Sequence, residues 1–72
     1  MKGIDTQLVK INTAYGSFDG LFEHEIDMGG YVATAPKIQG AVSWGKTLPQ
    51  AKRMLIEAIE GIVEARALVF AV

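Results

Sequence analysis

Residues 29–58 read GGYVATAPKIQGAVSWGKTLPQAKRMLIEA, so a glycine pair, a β-prone run, a Pro/Gly-bounded loop and a capped helix start follow one another without a gap. Gly29-Gly30 supplies the reversal that a tight hairpin requires, because glycine reaches positive φ without a Cβ clash. Residues 31–35 then return as a strand, which Pro36 ends because it lacks an amide hydrogen. Residues 41–44 form a short β-prone segment stopped by Gly45. Thr47 followed three residues later by Gln50 is a capping box, and Leu48-Pro49 fits the first helical turn, where a missing amide hydrogen costs little.

Upstream, residues 7–14 alternate as a strand, with Val9, Ile11 and Thr13 on one side and Lys10 and Asn12 on the other. Residues 15–20 contain two glycines and an Asp19-Gly20 pair and read as a turn. Residues 21–28 have the clearest period of two: Phe22, His24, Ile26 and Met28 share one face, and Glu23, Glu25 and Asp27 share the other. One side of that strand is predicted to be core and the other wet.

From Leu48 to about Arg66, a helical wheel gathers Gln50, Arg53, Glu57, Glu60 and Glu64 into one polar strip. The apolar arc that remains is roughly 220° wide at 100° per residue, about twice what a helix lying on one small sheet needs. Ala58, Gly61 and Ala65 make a shallow groove, although Gly61 costs about 1 kcal/mol relative to alanine inside a helix. The helix is therefore expected to touch both its own sheet and a second chain, with Ile56, Ala58, Gly61, Val63 and Ala65 as the candidate oligomer interface. Residues 67–72 are wholly apolar and either extend the helix or pair as a last strand.

Seventy-two residues allow one domain, and a domain of this size buries only about 60% of its unfolded surface. With no cysteine there is no disulfide framework or thiolate metal site, and a single histidine does not build a zinc site without several carboxylates. Half the residues are hydrophobic, yet no apolar run approaches the roughly 20 residues that span a bilayer. Surplus apolar surface in so short a chain predicts a homo-oligomer or a partner. The polar N-terminus carries no apolar signal core, so a cytoplasmic location is expected. A net charge of −1 with no basic footprint argues against direct nucleic-acid binding.

Candidate chemistry is sparse. His24 alternates away from Glu23 and Glu25, which predicts a partly buried sheet residue and not a general base. Glu23, Glu25 and Asp27 on one strand face could hold Mg²⁺ for phosphodiester hydrolysis, but the neighbouring strand offers no acid, so a solvated face or an acidic contact patch for a basic partner is preferred. Gly45-Lys46-Thr47 imitates the end of a phosphate-binding loop, but the upstream glycine at the required offset is missing, and cap and turn is the simpler reading. Trp44 is either a core plug or an interface anchor, with core favoured. No catalytic residue, cofactor or metal ligand is assigned.

The positions Gly30-Tyr31, Pro36, Gly40, Ser43, Gly45, Thr47, Ala51 and Ile56-Glu57-Ala58-Ile59 together resemble the core of the HicB-like antitoxin family. The resemblance covers residues 21–66. Residues 1–20 then form a variable N-terminal strand and turn, and residues 67–72 an apolar tail. The chain departs from the family pattern at Pro36-Lys37-Ile38-Gln39-Gly40, at Ala41, where the family usually has cysteine, and at Pro49-Gln50, where two acids are usual.

The resemblance implies a degenerate RNase H-like β-β-β-α fold that binds and silences a small basic RNA-cleaving (HicA-like) toxin. Members that act as repressors carry a further DNA-binding domain after this core, and none is read here, so no DNA binding is expected. The fold expected overall is α+β, an antiparallel sheet of three to four strands with one long helix packed on one face. Two other readings remain: a self-assembling structural protein without a toxin, and a metal-dependent nuclease using Glu23, Glu25 and Asp27. The partner-binding residues under the favoured reading are Glu23, Glu25, Asp27 and Trp44.

Overall fold

The computed structural model describes residues 6–71, with side chains through Leu68. Four strands, β1 (Thr6–Thr13), β2 (Gly16–His24), β3 (Tyr31–Thr34) and β4 (Val42–Gly45), precede one long helix, α1 (Leu48–Ala71). The strands form an antiparallel meander in the order β1-β2-β3-β4, and α1 lies on one face. The α+β architecture is the expected one.

Ile11, Phe22, Leu55 and Ile59 are the largest fully buried side chains, and Ala33, Ala35, Ala41 and Ala51 complete the core. Each of the large ones contributes about 1.5–3 kcal/mol by leaving water. The helix comes close to the sheet because the residues beneath it are small. A Cβ on Gly45 would sit almost on the backbone of Ala51, and one on Gly20 would lie 2.8 Å from Ile11, 2.9 Å from Phe22 and 3.1 Å from Leu55.

The helix start forms as the sequence predicts. The Gln50 amide donates to Thr47 Oγ1 at 3.2 Å, and the Gln50 side-chain oxygen accepts from the Lys46 amide at 2.8 Å, one residue earlier than in the usual reciprocal box. The tail is settled as far as it is described: residues 67–71 continue α1, and Val72 lies outside the described residues. A 24-residue helix is about 36 Å long, whereas the nine residues of β2, the longest strand, span about 30 Å, and the exposed residues 65–68 lie beyond the β1–β2 turn, which reaches Glu60 and Glu64, so the last turns of α1 overhang the sheet.

Two expectations change. Asp19-Gly20 is not a turn; β2 runs through it, because Gly20 faces Leu55 where no side chain fits. The reversal is instead at Ala14 and Tyr15, where the Tyr15 amide donates to Thr13 Oγ1 at 3.0 Å. The strand also stops at His24 and does not run to Met28. The Glu25 amide donates to the Gly30 carbonyl at 2.9 Å, and the Gly29 amide to the Glu25 carbonyl at 2.8 Å, closing a turn that leaves Ile26 71% and Met28 85% exposed. Gly29 and Gly30 have φ of 76° and 85°, so the glycine pair does make the reversal, but over a longer loop.

Gly61 provides a test of local helix energetics. It is exposed, and nothing lies within 4 Å of a Cβ placed on it. Gly61→Ala is expected to stabilise the folded chain by about 0.8–1 kcal/mol in urea unfolding followed by far-ultraviolet circular dichroism.

Candidate protein-docking face

Directly paired residues in an antiparallel sheet point to the same side, so the register defines two cross-strand rows on the face opposite the helix. One row is Leu8, Leu21, Thr34 and Val42; the next is Thr6, Glu23, Val32 and Trp44. Leu8 is 66%, Val42 59% and Trp44 50% exposed. Across these two rows the face is therefore largely apolar, and it is uncovered among the described residues; Lys10 and Asp19 form the next pair on it. Its composition follows from the close helix: Ala41, Ser43 and Gly45 take the inward positions at β4, so Val42 and Trp44 point out.

Trp44 is thus not a core plug. Its indole lies across Gly30, at the start of β3, where a Cβ would fall only 2.5 Å from the ring. Glu23 shares the row with Trp44 and is separated from it by Val32. Glu25 is one residue past β2, opposite Gly30 through the backbone hydrogen bond just described. Both glutamates are partly buried, and neither carboxylate makes a hydrogen bond or ion pair among the described residues. Asp27 is carried into the exposed turn, so the three-carboxylate row read from the sequence is broken after Glu25. No group of three or more histidine, cysteine or acidic residues that could hold a metal ion occurs among the described residues.

His24 faces the helix side, partly buried, and stacks on Tyr31 with ring centroids 4.7 Å apart and an interplanar angle of 21°. The imidazole thus packs on the ring of Tyr31, which itself lies against the core. Ser43 Oγ donates to the Met54 carbonyl at 3.1 Å, tying β4 to the helix.

The helix residues expected as an oligomer interface do not share one environment. Ile56 and Val63 pack against the core, Ala58 is partly buried, and Gly61 and Ala65 are exposed. The polar strip of the helix also has a structural role that no local signal in the sequence announces. The Ala14 amide donates to a Glu60 carboxylate oxygen at 2.9 Å and the Tyr15 hydroxyl to Glu64 at 2.7 Å, fastening the β1–β2 turn to the overhanging helix. An apolar groove of about 470 Å³ lies beside this contact, lined by Tyr15, Val63, Glu64, Ala67 and Leu68.

The hydrogen bond to Glu64, helped by desolvation and by the charges of Glu64 and Glu60, raises the Tyr15 pKa above its ordinary 10.0. The neutral phenol is favoured by folding, so this contact contributes fully below pH about 10 and is lost as pH rises through the folded-state pKa. Ultraviolet absorbance titration should therefore show one late phenolate transition that is missing in Tyr15→Phe and returns toward the ordinary range in Glu64→Gln.

No helix among the described residues is long and apolar enough to cross a membrane. Compared with known proteins, the chain matches no family model, no curated protein and no solved structure.

Proposed function

We propose that this chain is a HicB-like antitoxin, or a binding protein derived from one, that acts in the cytoplasm and occludes a small basic RNA-cleaving toxin without catalysing a reaction. The observation that carries the reading is the sheet face left uncovered among the described residues, where Leu8, Val42 and Trp44 are exposed beside Glu23 and Glu25, whose carboxylates have no partner among the described residues. An apolar floor with carboxylates at its end favours a partner of opposite charge, which it would attract over distance and hold by burial. The β-strand and helix frame also sets Gly45, Thr47 and Ala51, which belong to the HicB-like pattern, where close packing and capping require them.

Purification of the chain from its native host, followed by mass measurement of intact complexes, tests this. Recovery of a small basic protein in stoichiometric complex, with ribonuclease activity that appears when the two are separated, supports the proposal. Recovery of the chain alone or only as homo-oligomers counts against it.

One observation favours a second reading, self-association. Met54, Gly61, Ala65 and Leu68 form an exposed line on α1 at alternating four- and three-residue spacing, with partly buried Ala58 within it, the spacing of a helix-pairing seam. Sedimentation equilibrium of Ala65→Glu against the unaltered chain distinguishes the two. A fall from dimer to monomer supports pairing through this seam, and an unchanged mass removes it.

A further inference from the structure

We propose that the Trp44 end of the open sheet face is a slot for an arginine side chain of a basic protein partner, a deeper statement that rests on the docking role proposed above. Glu23, Val32 and Trp44 lie side by side on three adjacent strands, so the backbones that carry the carboxylate and the indole are about 10 Å apart with Val32 between them. Glu25 and Gly30 form the next pair along, and the indole lies over Gly30. The slot therefore has the indole seated on Gly30 as its aromatic side, Val32 as its apolar floor, and the β2 end that carries Glu23 and Glu25 across from the indole.

Guanidinium matches these walls better than other cations. It is planar and weakly hydrated, stacks on an indole face, and donates to carboxylates through a fixed fork, whereas ammonium is a compact, strongly hydrated point charge. Charge complementarity is the deciding argument: Glu23 and Glu25 are partly buried and have no cationic partner among the described residues. A second copy of this chain does not supply a guanidinium from an equivalent face, because both arginines, Arg53 and Arg66, belong to the helix on the other side of the sheet. Lys10 is on the open face, opposite Asp19 in the register and two residues further along β1 than the Leu8 row, and it offers an ammonium, not a guanidinium.

Trp44 is the sole tryptophan, so its fluorescence reports on the slot directly. The experiment titrates the full chain with blocked tri-arginine, tri-lysine and tri-citrulline peptides at low ionic strength. Tri-arginine is expected to change the emission saturably, to bind at least about five-fold tighter than tri-lysine, and to weaken with salt. Glu23→Gln and Glu25→Gln, each checked for folding by circular dichroism, should weaken it by about three- to ten-fold. Glu57→Gln, on an exposed position of the helix, should not.

Equal response to arginine and citrulline, or no loss in either glutamate variant, overturns the slot. The result separates from that of the docking reading. If a basic protein is recovered in complex and binds both glutamate variants as tightly as the unaltered chain, the slot is wrong and the docking reading stands. If tri-arginine binds as described and no basic protein is recovered, the slot stands and the docking reading fails.

Discussion

Gly45→Ala lowers the unfolding free energy by about 3 kcal/mol, the upper end of what overpacking costs, as measured by urea unfolding followed by far-ultraviolet circular dichroism. The first turn of α1 rests directly on the end of β4, and a Cβ at Gly45 would lie 2.6 Å from Ala51 Cα and closer still to its amide nitrogen. A flexible side chain could swing aside, but these are backbone atoms of a helix whose cap is already fixed by Thr47 and Gln50. Relief requires the helix to lift from β4, which would open the contact around Ala41 and Ala51, both buried. For 72 residues the total stability expected is about 4–11 kcal/mol, so this single methyl group consumes a large share. Gly45→Val should leave little folded protein at room temperature. A loss below about 1 kcal/mol for the alanine variant would mean that the helix start has freedom to move, and the close helix–sheet approach would be wrong.

The same close approach explains which parts of the fold could be read from the chain. Turn and cap chemistry is local, so the Gly29-Gly30 reversal, the end of β3 before Pro36 and the start of α1 at Thr47 were legible from their own residues. The alternation of Val9, Ile11 and Thr13 against Lys10 and Asn12 likewise separates the two sides of β1, of which the helix covers the side of Val9 and Ile11. Gly20 was not legible, because its reason lies in Leu55, far along the chain, and an Asp-Gly pair looks the same whether it turns or passes beneath a helix. Period-two alternation continues in sequence through Ile26 and Met28, but the backbone hydrogen bonds between Glu25 and the glycine pair take those residues out of the sheet.

The candidate site was harder still. Size suggests that Trp44 belongs inside and that Ser43 and Gly45 belong outside, and the structure reverses this. When a helix packs tightly on a strand, the small residues must face it, and the large ones are displaced to the open side. The face of β4 is thus set by the helix distance, which no residue of β4 encodes alone. Glu23 and Glu25 were found by alternation, but their relation to Trp44 depends on the β2–β3–β4 register. The contacts of Glu60 and Glu64 with the β1–β2 turn span 46 and 49 residues and leave no local pattern to detect.

Leu55→Ala is expected to cost about 3–5 kcal/mol, while Leu68→Ala, the same chemical change on the same helix, should stay within about 0.5 kcal/mol. Leu55 is fully buried in the cluster with Ile11 and Phe22, whereas Leu68 is 70% exposed on the overhang. The value for Leu55 falls at the high end because the cavity has little means of closing. Its floor is Gly20, which has no side chain to turn into the space, and β2 is hydrogen-bonded to a strand on each side. The two positions should therefore couple. A methyl group at Gly20 meets Leu55 at 3.1 Å in the unaltered chain, and removing the leucine side chain removes one of its three close neighbours. Gly20→Ala should be less damaging in the Leu55→Ala background than alone, with a coupling of about 0.5–1 kcal/mol in urea unfolding of the four-member cycle. Ile11 and Phe22 remain near that methyl group, so the rescue is partial. Strict additivity would show that the helix and β2 are not in contact through this pair, and the account of why β2 runs straight through Gly20 would fall with it.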